Sequence, residues 1–254
     1  MSYRHFVRGR LATSKLFIDC YSSANCTSHR TFHSSTFCLN TMSQGILYGT
    51  NETRSILPVG LIKVFGLDIE IKPKATAEHA ASFPLKRAPS FIDPTGYKIH
   101  EAIAVIFYFV RLHDKNSPLI GNNDKEKASI LQYLSFATGD FMVAVSLVIG
   151  GLLGRVPYNE EVVEANKKTI DYYIKLLEDD LKDKEYLVGD RLTVADLFVA
   201  TTFYRPITLW LGKEWREGHP IFVKWFSKVI KSEFIGWFFD DLKWADEPVG
   251  PPKK

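Results

Sequence analysis

The residue types able to do chemistry in this 254-residue chain gather in two short stretches. One is Gly49-Thr50-Asn51-Glu52-Thr53-Arg54-Ser55, where Thr53 and Ser55 supply loop hydroxyls and Ser55 is also suited to cap a following helix. The other is residues 83–105, with Arg87, the pair Ala88-Pro89, and Glu101 followed by Ala102. Pro89 cannot donate to a sheet ladder, so it belongs at the start or edge of a strand. A cis bond before it would fold the chain back and present the Ala88 backbone to a ligand. Glu101 opens an apolar helix, where a carboxylate suits the positive end of the dipole. With Ala102 next, only backbone N–H groups remain at that helix start to meet an anion.

The elements that must position these groups follow from pattern. Residues 46–49 read as a short apolar strand, and 56–65 as a helix with Leu57, Leu61, Ile62 and Phe65 on one side, closed by Gly66. Residues 68–72 alternate polar and apolar, which predicts a second strand, and a short helix is expected over 75–82. Apolar runs at 90–92 and 97–99 flank Asp93-Pro94-Thr95-Gly96, whose order is type I turn chemistry, and an apolar helix covers 102–110. The order β-α-β-α-β-β-α is thioredoxin-like and occupies 43–113; a polar linker is expected over 114–124.

From 125 to 244 the pattern is helical. Ile130, Leu134, Phe141, Val145 and Val148 recur at helical spacing, as do Val163, Ile170, Ile174, Leu177 and Leu181. Gly150-Gly151 and the stretch Gly154 to Pro157 are expected to break the first of these helices from the second. Thr193 and Asp196 have capping-box spacing, with Leu192 and Leu197 placed for a hydrophobic staple. The fold class is therefore α+β, a thioredoxin-like domain followed by an all-α domain.

Residues 83–105 resemble the glutathione site of the glutathione-transferase family. The resemblance covers roughly 43–254 and implies a role for each residue. Arg87 would meet the glycine carboxylate of glutathione, the Ala88 backbone before Pro89 its cysteinyl unit, and Glu101 the γ-glutamyl amine. Many members place Ser after that acid; Ala102 here implies a weakened site. Thr53 and Ser55 fall near the activating hydroxyl of serine branches, and Tyr48 near that of tyrosine branches, yet none sits in a convincing motif. Catalysis would need such a hydroxyl, because the thiolate is the nucleophile.

Four stretches narrow the resemblance to the fungal elongation factor 1-gamma family: 42–48, 83–89, 96–104, and Gly212-Lys-Glu-Trp-Arg-Glu-Gly-His-Pro220 with Trp225-Phe226. Residues 245–254 resemble the start of that family's Pro/Lys-rich tail. The resemblance implies a scaffold for the nucleotide-exchange subunit that supports aminoacyl-tRNA delivery, a homodimer, and at most weak transferase activity. A stand-alone glutathione transferase acting on small electrophiles is the alternative. No cofactor is implied beyond glutathione as ligand or substrate.

Composition bounds these readings. The chain is 46% hydrophobic and 24% charged, which suits a globular protein, and no apolar run is expected to reach the length of a membrane span. Of the net charge of +3, residues 1–41 carry +4, from Lys15 and four Arg against Asp19. The remaining −1 argues against a nucleic-acid surface. All three cysteines, Cys20, Cys26 and Cys38, also lie there, so the body holds no disulfide and no catalytic or metal-binding cysteine. His79, His100 and His219 lack ligand spacing for a metal. Trp210, Trp215, Trp225, Trp237 and Trp244 are expected to fill helix packing. Residues 1–41, rich in Ser, Thr and Arg, have the composition of a mitochondrial presequence. Met42-Ser43-Gln44-Gly45 also reads as a start, which would make 1–41 upstream sequence and the product cytoplasmic.

Overall fold

The structure, a computed structural model, describes residues 43–251. The presequence reading of 1–41, the three cysteines and Met42 lie outside the described residues.

Four strands form one mixed sheet in the order β2-β1-β3-β4. β1 (Gly45–Tyr48) lies parallel to β2 (Ile69–Lys72) and antiparallel to β3 (Ser90–Ile92), which pairs antiparallel with β4 (Lys98–His100). β4 starts one residue later than the apolar run suggested. The Tyr97 N–H is given to the Asp93 carboxylate, and Ile99 opposes Phe91. The turn closes as expected, with Gly96 N–H donating to the Asp93 carbonyl at 3.0 Å. The side chain of Asp93 also accepts the Thr95 hydroxyl, the main reason its carboxyl is held below the usual range.

α1 (Ile56–Phe65) has the bounds the sequence predicted, ended by Gly66 in the left-handed conformation, φ 62°. α2 (Ala77–Ser82) begins two residues late: Ala75 has φ 66°, and Thr76 caps the helix by accepting the His79 N–H. α3 (Ala102–His113) runs a turn beyond the expected end, and the His113 ring stacks on Phe65 of α1 at 4.0 Å. Phe91 meets Phe109 edge to face, centroids 5.1 Å apart, in the core between sheet and α3. The expected linker is not plain loop: a 3-10 turn, Pro118–Ile120, buries Ile120 and Ser117.

α4 (Asp124–Phe136) passes through one π-type turn, Ala137–Phe141, into α5 (Met142–Leu152). Leu134, before the insertion, and Phe141, at its end, are both buried. The uninterrupted run Asp124–Leu152 has 29 residues and is long and apolar enough to cross a membrane by length and composition, which corrects the expectation from shorter runs. Half of its most apolar window is buried, as in the core helix of a globular domain. Gly150 and Gly151 do not break the helix. They lie within α5, where a Cβ on Gly151 would stand 2.9 Å from Val163 of α6 (Glu160–Leu181), so the pair permits close helix packing.

α7 (Val194–Thr202) is the central buried helix; α8 (Tyr204–Leu209), α9 (Lys213–Glu217), α10 (Pro220–Val229) and α11 (Gly236–Phe239) complete the chain. Trp210 and Trp225 are buried; Trp215, Trp237 and Trp244 are partly buried against the same core. The C-terminal segment closes on α1. Lys63 sits over the Trp237 ring at 3.5 Å, and the carbonyl of Phe234 occupies the space a side chain on Gly60 would need.

Candidate functional site

Two cavities lie around the 49–55 loop and share Glu52 and Lys74 in their walls. The first, of about 380 Å³, is lined by Arg87, Ala88, Pro89 and Glu101, so the groups that the sequence nominated from 83–105 converge on one space. The Ala88–Pro89 bond is cis. Ala102 is buried beneath the wall rather than part of it. Glu101 takes the N-cap position of α3 without making a side-chain cap bond, and its φ of 74° lies where a residue with a Cβ is strained. Its carboxylate is thus free of the helix it begins.

The wall also carries three groups to which the sequence reading gave no part in this site: Arg54, Lys86 and His100. Lys86 and His100 are the chain neighbours of Arg87 and Glu101, whereas Arg54, in the loop after β1, is brought to them only by the fold. A further support runs from Ser90, on the wall, to His79 behind it. The Ser90 hydroxyl donates to the Arg87 carbonyl at 2.6 Å and lies 3.5 Å from Nε2 of His79. Nδ1 of His79 accepts the Ala75 N–H, which puts the ring proton of the neutral form on Nε2, facing Ser90. Both side chains are fully buried and hold the backbone just ahead of Ala88.

The candidate hydroxyls do not join the cradle. Ser55 stands at the N-cap of α1, but its Oγ makes no cap bond, is fully buried and has no partner. It packs into the corner beside Gly49 and Ala88. Thr53 lines the second cavity, not the first. Tyr48 is buried and stacked on His79 at 4.9 Å. Burial, with its bond to Glu78, pushes its hydroxyl up to about 12, which suits a core tyrosine and not an acid or base near neutral pH.

The first cavity fits glutathione in kind. Arg54, Lys86 and Arg87 offer cations for two carboxylates, Glu101 an anion for the ammonium, and Ala88 its backbone for the peptide. Among the described residues no group of three or more His, Cys, Asp or Glu is placed to hold a metal ion.

Comparison with known proteins gives the family. The model of the glutathione S-transferase N-terminal domain matches residues 43–111, and that of the C-terminal domain matches 101–233. The chain is similar to elongation factor 1-gamma 1 of Saccharomyces cerevisiae, 37% identical over 219 residues, covering 84% of this chain and 53% of that protein. A glutathione S-transferase of Aspergillus fumigatus is 27% identical over 208 residues, covering 80% of this chain and 87% of its own. The crystal structure of the GST-like domain of S. cerevisiae elongation factor 1-gamma superposes with a TM-score of 0.77 at 35% identity, over 84% of this chain and all of that domain. The chain thus spans about half the length of the elongation factor it matches.

Proposed function

The chain belongs to the glutathione S-transferase family, and from that premise we propose that it is an elongation factor 1-gamma-like subunit with a glutathione cradle and little transferase chemistry. In this reading it holds the nucleotide-exchange subunit of elongation factor 1 in the cytoplasm, as a homodimer, and supports aminoacyl-tRNA delivery. The likeness to the GST-like domain of elongation factor 1-gamma supports the assignment. The observation that carries the weak-catalysis half is the division of the site. Arg87, Ala88, Pro89 and Glu101 line one cavity, and neither Thr53 nor Ser55 does. Without Thr53 or Ser55 on its wall, the cavity lacks the hydroxyl that would favour the thiolate of a bound glutathione. Affinity purification of the tagged full chain from cytosol is expected to recover the exchange subunit. Recovery of no elongation factor subunit would sink the proposal.

A stand-alone transferase is the second reading, favoured by one observation. The cavity lined by Thr53 adjoins the cradle across Glu52 and Lys74, so an electrophile could lie next to a held thiol. Turnover of a chromogenic electrophile above background, lost in Thr53→Ala or Ser55→Ala, would support it. Background turnover in the wild type would remove it.

A further inference from the structure

The second cavity, of about 280 Å³, is unusual for what it presents to a ligand. Its apolar floor is Val145 and Ile149 of α5, and Arg155 and Arg205 both stand on its walls. Neither guanidinium has a carboxylate partner among the described residues; Arg205 only lies over the Tyr204 ring at 5.0 Å. The lone acid on the wall, Glu52, is already engaged: it accepts the Thr50 N–H at 2.8 Å and stands 3.6 Å from Nζ of Lys74. With Glu52 set against Lys74, the charge of both arginines is uncompensated. Two unpaired guanidiniums around one concave space repel each other, and an anion entering it relieves that repulsion while gaining forked hydrogen bonds.

We infer that this cavity is an anion subsite, taking a carboxylate, sulfonate or phosphate group carried on the sulfur substituent of a glutathione seated in the cradle. The inference rests on the glutathione reading of the first cavity and adds the chemistry of what lies beyond the sulfur. Because Glu52 and Lys74 line both cavities, a substituent that leaves the cradle past them reaches the space lined by Arg155 and Arg205. Two sources supply such a group: the second half of glutathione disulfide, with its own carboxylates, or a conjugate bearing an acidic substituent. A neutral, greasy substituent would bury the floor but strand both charges.

Titration calorimetry of the full chain with glutathione, S-hexylglutathione, an S-carboxyalkyl glutathione of equal length and glutathione disulfide tests this. The carboxylated compound is expected to bind roughly tenfold tighter than the hexyl one. That gap should close in Arg155→Gln/Arg205→Gln and return in the double Lys variant, while the affinity for glutathione itself stays within about twofold. Disulfide binding as tightly as the carboxyalkyl compound would identify the source as a second glutathione; weaker binding would identify an acidic conjugate. Equal or tighter binding of the hexyl compound, or an unchanged gap in the Gln variant, overturns the inference. If glutathione and all its derivatives fail to bind, the reading of the cradle falls. The subsite is then judged with a free probe, 8-anilinonaphthalene-1-sulfonate, whose binding must drop in the Gln variant and return in the Lys variant. Should Arg205→Gln fail to fold, Arg155→Gln alone carries the comparison, since Arg155 is exposed and its side chain has no carboxylate partner among the described residues.

Discussion

Gly49 and Ser55 compete for one corner of the fold: the Ser55 hydroxyl fills the space a Cβ on Gly49 would need, and Ala88 stands 3.2 Å from the same point. Gly49 also has φ 146°, which side-chain-bearing residues rarely adopt. The glycine therefore lets β1 end directly against the serine and the cradle backbone. Gly49→Ala is expected to cost roughly 2 kcal/mol, by overpacking and backbone strain. It should also weaken glutathione binding through Ala88. Ser55→Ala runs the other way. Its hydroxyl is buried with no partner, so removal should leave stability within about 1 kcal/mol or raise it. Urea midpoints for the two variants check both signs, and a loss above about 2 kcal/mol for Ser55→Ala would mean the hydroxyl is satisfied after all.

Glu101 separates stability from binding. With φ 74° and ψ 129° it is in a sparsely populated region, at a cost of about 1–3 kcal/mol. Glycine adopts that conformation freely, less about 0.5–1 kcal/mol for its extra freedom when unfolded. Glu101→Gly should thus be as stable as wild type or more so, and Glu101→Ala should show no gain, yet both should lose glutathione affinity by roughly tenfold. Urea unfolding and calorimetry on the same samples read the two effects. If Glu101→Gly kept wild-type affinity, the carboxylate would have no part in the cradle.

Much of the fold is legible because its signals are local. Helix α1 with Gly66, strand β3 and the Asp93–Gly96 turn each depend on residues adjacent in sequence. That Arg87, Ala88, Pro89 and Glu101 belong near one another follows from the same local signals, a proline at a strand start, a tight turn and an acid at a helix start. What escaped notice is decided at a distance. The start of β4 depends on Phe91 facing Ile99, and the π-type turn that ends at Phe141 carries no composition mark of its own. Ser55 looked like a helix cap, and its position is right, but tertiary packing took its hydroxyl. Arg155 and Arg205 are fifty residues apart and come to line one cavity with Thr53 only in the folded chain, so no spacing rule could pair them.

Glu126 gives the fold a pH dependence whose sign is fixed by geometry. Its carboxylate accepts the Asn122 N–H at 3.0 Å and pairs with Arg191, clamping the start of α4 to the loop before α7. The backbone bond first, and the guanidinium next, hold its carboxyl below the ordinary 4.5. A depressed carboxyl contributes stability above its unfolded value and loses it as pH falls through the folded one. The difference in urea midpoint between wild type and Glu126→Gln should be full above about pH 5 and shrink steadily toward about pH 3. A difference that stays constant over that range would show that the clamp does not depend on the charge.

The heaviest stability burden should fall on Asp196. Its carboxylate is buried in α7 and accepts four donors: the Leu187 N–H at 2.8 Å, Nε1 of Trp225 at 3.1 Å, and both the N–H and hydroxyl of Thr193 at 3.1 and 3.0 Å. Burial pushes the carboxyl up, and these four donors pull against that shift. The capping box alone would make Thr193→Ala cost about 1 kcal/mol. Asp196→Ala strands donors from three segments at once, each costing about 1–3 kcal/mol when buried and unmet, so a total above roughly 3 kcal/mol is expected. Asp196→Asn should not rescue it, because an amide facing Thr193 sets donor against donors. Trp225→Phe removes one donor and leaves Oδ1 bonded to Leu187, and should fall between Thr193→Ala and Asp196→Ala. Urea midpoints across these four variants test the ordering. Asp196→Ala costing no more than Thr193→Ala would reduce the network to a helix cap and nothing more.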